Sequence, residues 1–232
     1  MATAKKELVA IKPLKLSKIP IRIVGDSPLI VHAWSEKAKR QMLEDQGGKT
    51  KLKKKPQRIP FDDFARALYW LTPMPEEETI DQNTNEPRMV VTEELFDEAI
   101  KNGARFGFPA NSFKMAANST AYRMGWVENQ TKLRGAYFLN AEDGGDLVEI
   151  KGSVPMCRED MVKLQGKTAD LRYRPIFDPW YCDLTLEYNE NSGFKLSDIL
   201  TCINSGGYAC GIGEWRPERD GRFGRFHIET KK

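Results

Sequence analysis

The chain has 232 residues, 40% hydrophobic and 30% charged, which is enough for one large core or two small ones without disulfide staples. Its 36 basic and 33 acidic residues leave a formal charge of +3, so charge in bulk does not imply a polyanionic partner and only its distribution informs. The 5 Trp, 7 Tyr and 11 Phe argue against wholesale disorder, and no apolar run approaches the roughly 18 residues that span a bilayer.

Residues 1–18 read as a flexible arm. Its apolar stretch, Leu8 to Ile11, is too short for a signal peptide, so a cytoplasmic location without a membrane partner is expected. Residues 19–24, rich in Ile and Val, predict a strand closed by the turn cluster Gly25-Asp26-Ser27-Pro28. Leu29 to Val31 continues that strand or begins another. Ser35 can cap a helix carrying Ala38 and Met42, ended by Gly47-Gly48. Residues 49–58 carry six positive charges and no negative ones. They read as a solvated loop in which Lys53, Lys54 and Lys55 can contact phosphates.

A helix is expected over residues 62–71, where Phe64, Ala67, Leu68 and Leu71 form an apolar stripe. A polar loop follows over 72–87, then short helix over 93–101. Pro109 opens a further helix over about 110–124. Strands are expected over 135–139 and 147–154, and a short helix over 158–165. Two strands then follow, 172–177 and 181–188. In the second, Cys182, Leu184, Leu186 and Tyr188 alternate with Asp183, Thr185 and Glu187, the pattern of a sheet with one covered face. A helix over 196–204 is expected to stop at Gly206-Gly207, and a terminal strand runs over 225–228.

The fold class is α+β. The final strand-strand-helix-strand order is that of half a split βαβ or ferredoxin-like unit. No internal repeat or clean boundary divides the chain, so we expect one domain over 19–232 with a large helical and loop insertion at about 44–106. Cys157, Cys182, Cys202 and Cys210 have no C-x-x-C spacing, and His32 and His227 are the only histidines. A zinc site of the usual pattern is therefore not expected, nor any other metal or cofactor.

The strongest local signal is the tail from Gly211 to Phe226. Gly211, Gly213, Gly221 and Gly224 there alternate with Arg216, Arg219, Arg222 and Arg225 and with the aromatics Trp215 and Phe223. Glycines let backbone amides approach phosphate oxygens, arginines fork onto them, and aromatic rings stack on unpaired bases. The same residues suit an ordinary hairpin, with Glu214, Glu218 and Asp220 neutralising the arginines. A second signal is Asn111, Ser112 and Lys114 at a helix N-terminus, where free amides favour an anion. A plain capped helix with Phe113 in the core fits as well. Arg172 and Arg174 flank Tyr173 on one strand face and either line the same groove or face water.

The run Pro109-Ala110-Asn111-Ser112-Phe113-Lys114-Met115 resembles the Pro-Gly-Ser-Ser-Leu-Lys-Gly helix opening of the RAMP superfamily, the RRM-like RNA-binding proteins of CRISPR systems. Gly211, Gly213, Gly221 and Gly224 resemble that family's Gly-rich loop, and Gly25, Pro28 and Leu29 its early Gly-x-x-Pro-Leu turn. Ala110 and Met115 stand where the family has glycine.

The resemblance implies an RRM/ferredoxin-like antiparallel sheet with helices on one face. It also implies single-stranded nucleic acid, RNA favoured over DNA, gripped by Ser112, Lys114 and the Gly-rich loop. It is strongest toward the backbone subunit of multi-subunit effector complexes, which polymerises along guide RNA and carries a thumb-like hairpin. A head-to-tail homo-oligomer or larger ribonucleoprotein is then expected. Some family members are endoribonucleases using a histidine, or a loop aspartate with a divalent metal; His32 is the matching histidine here, and Asp81 the nearest matching aspartate, with Asp62 and Asp63 competing. A single-stranded DNA-binding or annealing protein and a protein-interaction domain stay open beside the RNA-binding reading.

Overall fold

The computed structural model describes residues 13–33, 43, 56–164 and 168–230. Apart from Leu43, the expected helix after Ser35 lies outside the described residues, as do the lysines 53–55.

The central sheet is antiparallel and has four strands. β1 (Leu16–Gly25) lies between β12 (Phe226–Ile228) and β11 (Tyr181–Asn189), and β7 (Tyr137–Ala141) pairs on the far side of β11, giving the order β12-β1-β11-β7. Alternation in sequence sets its register. Ile19, Ile21 and Ile23 pair with Leu186, Leu184 and Cys182, so one face presents a continuous apolar surface. β1 begins at Leu16, inside the stretch read as an arm, because Leu16 to Lys18 complete the ladder with β11.

Two helices cover that apolar face. α3 (Asn111–Arg123) precedes β7 in the chain, and α5 (Leu196–Ala209) joins β11 to β12. Phe113 of α3 meets Phe226 of β12 edge to face at 5.2 Å, and the Tyr137 hydroxyl donates to Asn118 Oδ1 at 3.0 Å. Fully buried side chains of this size, Phe113, Tyr137 and Trp180 among them, stabilise by roughly 1.5–3 kcal/mol each. The opposite face is polar, with Lys18–Glu187 at 3.0 Å, Arg22–Asp183 at 2.7 Å and Lys151–Asp183 at 3.0 Å.

The expected stop of α5 at Gly206-Gly207 is not made: the helix runs through both glycines. The absence of a side chain at Gly206 lets α5 lie directly on the α3 backbone at Ala116 and Ala117, so packing outweighs the helix-weakening tendency of glycine.

A second sheet, β2-β10-β9, holds β2 (Leu29–Ile30) and the long hairpin of β9 (Met156–Leu164) and β10 (Thr168–Phe177). Residues 158–165 were expected to be helical. They lie largely in β9 instead, which pairs with β10 along its whole length, and cross-strand pairing overrides weak local propensity.

A third sheet, β3-β6-β8, joins β3 (Tyr69–Trp70), β6 (Phe106–Pro109) and β8 (Leu147–Glu149). α1 (Pro60–Arg66) therefore ends before the predicted Leu71, since Tyr69 and Trp70 pair with Gly107 and Phe106. The predicted polar loop over 72–87 contains β4 (Glu77–Ile80), hairpinned to β5 (Pro87–Val90). α2 (Glu93–Lys101) lies where expected, its N-cap Thr92 accepting from the Leu95 amide.

Phe61, Phe64, Trp70, Phe96 and Phe106 pack edge to face or stacked. Phe106 reaches Phe177 at 6.2 Å, so residues 56–106 share one buried cluster with the central sheet. No helix among the described residues is long and apolar enough to cross a membrane.

Candidate nucleic-acid interface

α3 and the Gly-rich tail, about a hundred residues apart in sequence, face each other across a cleft of about 300 Å³. Helical spacing puts Ser112, Met115, Ala116 and Ser119 on one stripe, and these residues form one wall. Gly211, Ile212, Gly213 and Arg216 form the other. Gln130 and Arg134, from the short helix α4 (Gln130–Arg134), close one end. Sequence reasoning did not find α4; its signal is Asn129, whose side chain accepts from the Thr131 amide as an N-cap.

The glycines of the tail serve the loop's own fold. Gly213 and Gly224 have φ of +76° and +65°, values that side-chain-bearing residues rarely adopt, and side chains there would strike the Ile30 and Ile212 carbonyls. The amides are mostly occupied. Ile212 donates to Gly224 O at 2.9 Å, Glu214 to Ile30 O at 3.0 Å, Phe223 to Trp215 O at 3.1 Å and Gly224 to Pro28 O at 2.8 Å. The loop is thus a rigid wall more than a row of free amides.

Charge in and around the cleft is unevenly compensated. Glu218 accepts from Arg216 Nη2 at 2.8 Å and from Arg123 Nη2 at 2.5 Å. Burial would raise its pKa, yet these guanidiniums and the Cys210 thiol hold it below the usual carboxylate value. Among the described residues, Arg134 is bonded only to the neutral Gln130 side chain, at 2.6 Å. Among the described residues, Arg134, Arg219, Arg222 and Arg225 are the arginines without a carboxylate in ion-pair range. Every other one is paired.

The remaining sequence candidates take several places. Asn111 is exposed at the start of α3 and does not line the cleft. Lys114 does not line it either. It is 8% exposed, its Nζ lies 3.8 Å from the centroid of the Phe138 ring, and burial, aided by Arg134, lowers its pKa. Trp215 is exposed, whereas Phe223 carries the Arg158 guanidinium over its ring at 4.9 Å. Arg174 is buried near Asp160 and Glu214, and Arg172 pairs with Asp170 at 3.0 Å.

His32 Nδ1 lies 3.4 Å from Glu214 Oε1, beside the Gly-rich loop. Asp81 lies at the turn of the β4–β5 hairpin, where both carboxylate oxygens are engaged. Oδ1 accepts from the Asn83 and Thr84 amides at 3.0 Å, and Oδ2 from the Gln57 amide and Arg88 Nη1 at 2.9 Å. Burial opposes ionisation, but Arg88 and the three amides hold the carboxyl far below its usual range. This geometry closes the hairpin turn around the Asp81 carboxylate. No protein-family model and no curated protein sequence matches the chain.

Proposed function

We propose that this chain is a single-stranded nucleic-acid-binding protein of RAMP type, taking RNA in preference to DNA and coating it as a head-to-tail oligomer in the cytoplasm. The observation that carries the reading is the single cleft in which Ser112 of α3 meets Gly211, Gly213 and Arg216 of the Gly-rich tail, with Arg134 left uncompensated at its end. A guanidinium without a carboxylate beside small polar side chains suits a phosphodiester backbone. The order β12-β1-β11-β7, with a helix before β7 and another between β11 and β12, supports an RRM/ferredoxin-like core. The resemblance of Pro109 to Met115 and of the four tail glycines to RAMP motifs points the same way.

The polar sheet face argues for the cleft over the sheet as the binding surface. Arg22 and Lys151 there are already paired with Asp183, whereas an RRM-style platform offers aromatic rings to bases.

The test is titration of a labelled single-stranded RNA with the full chain at low salt, followed by competition with unlabelled RNA and DNA of the same sequence. Saturable binding that weakens with salt and is displaced better by RNA is the expected result. Better displacement by DNA would move the reading to a DNA-binding protein, and unchanged RNA anisotropy at low salt would overturn it.

A further inference from the structure

The Gly-rich loop has a second side. Cys210, Arg216 and Glu218 line the first cleft, while their chain neighbours Ala209 and Pro217 line a shallower groove with Tyr208, Gly221, Arg222 and Arg225, about 560 Å³ in volume. The 3-10 turn Pro217–Arg219 contributes Glu218 to the first groove and Pro217 to the second.

Three features set this groove apart. Tyr208, on the last turn of α5, is 72% exposed. Arg222 and Arg225 have no carboxylate in ion-pair range among the described residues, and the Arg225 Nε is buried without a hydrogen-bond partner. Two guanidinium forks suit phosphate oxygens, and an adjacent phenol ring suits the face of an unpaired base. An acidic peptide would engage the arginines and leave the ring unused.

We infer that this groove is a second nucleotide subsite, in which an unpaired base stacks on Tyr208 while the adjoining phosphate sits between Arg222 and Arg225. The strand reaches it from the first cleft across the turn that carries the exposed Arg219. The inference rests on the nucleic-acid reading of the first cleft and adds a stacking residue and a path to it.

The test is anisotropy of the full chain with a labelled oligouridylate and with an abasic oligonucleotide of equal length. Tyr208→Ala is expected to weaken oligouridylate binding about 10-fold and leave abasic binding unchanged, with Tyr208→Phe restoring it. Arg222→Gln should weaken both ligands and lower the salt slope by about one. Oligouridylate binding by Tyr208→Ala equal to that of the unmodified chain would overturn the subsite. Equal losses on both ligands would do the same. If Arg134→Gln in the first cleft weakens binding while Tyr208→Ala and Arg222→Gln do not, the second subsite alone fails. If the unmodified chain does not bind oligouridylate at low salt, both readings fail. Binding of polyglutamate that depends on Arg222 but not on Tyr208 would assign the groove to an acidic peptide and overturn the proposal.

Discussion

Gly206 lies against Ala117: a β-carbon on Gly206 would stand 2.6 Å from the Ala117 amide nitrogen. This contact brings α5 onto α3 backbone to backbone. Ser112 and Ala116 ride on α3, and Gly211 and Gly213 follow directly from α5, so the same contact sets the width of the cleft between them.

Gly206→Ala is therefore expected to destabilise the protein. Overpacking against backbone that cannot yield costs up to about 3 kcal/mol, more than the roughly 1 kcal/mol of helix propensity that alanine gains. Urea unfolding should show a lower midpoint. Gly135→Ala is the control, because nothing lies within 4 Å of a β-carbon there and its φ is −86°. That variant should stay within about 0.5 kcal/mol of the parent.

Asp62 holds the inserted segment to itself. Its Oδ1 accepts from Arg66 Nε at 2.8 Å and from the Val91 amide at 3.0 Å, and its Oδ2 from Arg88 Nη2 at 3.2 Å, at 3% exposure. Asp62→Ala strands two guanidiniums with reduced compensation, and removing one partner of a buried ionic network costs about 3–5 kcal/mol. Thermal unfolding should register it, and a loss below about 1 kcal/mol would mean that the network is solvated.

Stability should fall in acid. The Arg22 hydrogen bond holds the Asp183 carboxyl below its ordinary value of 3.8, against burial and with Lys151 assisting. Asp81 is held below 3.8 as well, with Arg88 and backbone amides outweighing burial. A carboxyl depressed in the folded state contributes fully above its unfolded value. That contribution is lost as pH falls through the window from about 4 down to the folded values. Unfolding free energy from these groups should thus be level above about pH 5 and drop below about pH 4. Asp183→Asn should show a shallower acid slope, and an unchanged slope would contradict this account.

Arg134 and Lys114 should behave differently toward RNA although both are cations near α3. Arg134 lines the cleft, whereas the Lys114 ammonium sits over Phe138. Arg134→Gln is expected to lower the slope of log affinity against log salt by about one. Lys114→Met should leave that slope unchanged while lowering the melting temperature through the lost cation–π contact. Equal salt slopes for the two variants would contradict the assignment.

The parts of the fold legible in sequence are those where one face is apolar and near in the chain. Cys182, Leu184 and Leu186 announce β11. β9 was not legible, because the side chains turned inward there include Arg158 and Asp160, which meet Phe223 and Arg174. The Arg158 contact depends on a loop more than fifty residues away. The run of α5 through its glycines was hidden for the same reason, since the partner that needs the missing side chain is Ala117.

Composition singled out Ser112, Gly211, Gly213 and Arg216, which the fold gathers in one cleft. It did not distinguish arginines that carry free charge from those already neutralised. Arg134 gains its interest from the absence of a carboxylate beside it among the described residues, and Tyr208 from its exposure next to Arg222 and Arg225. Lys114 looked available from its place at a helix start, but the side of the helix it occupies turns it toward β7.

The loop that walls the cleft has its hydrogen bonds already closed in the folded chain, from Ile212 to Gly224 within the loop and from Glu214 to Ile30 of β2. A ligand settling against it meets a template whose shape was already set when the chain folded. Little conformational freedom is then surrendered on association, and encounter depends on diffusion and charge steering without waiting for the wall to assemble.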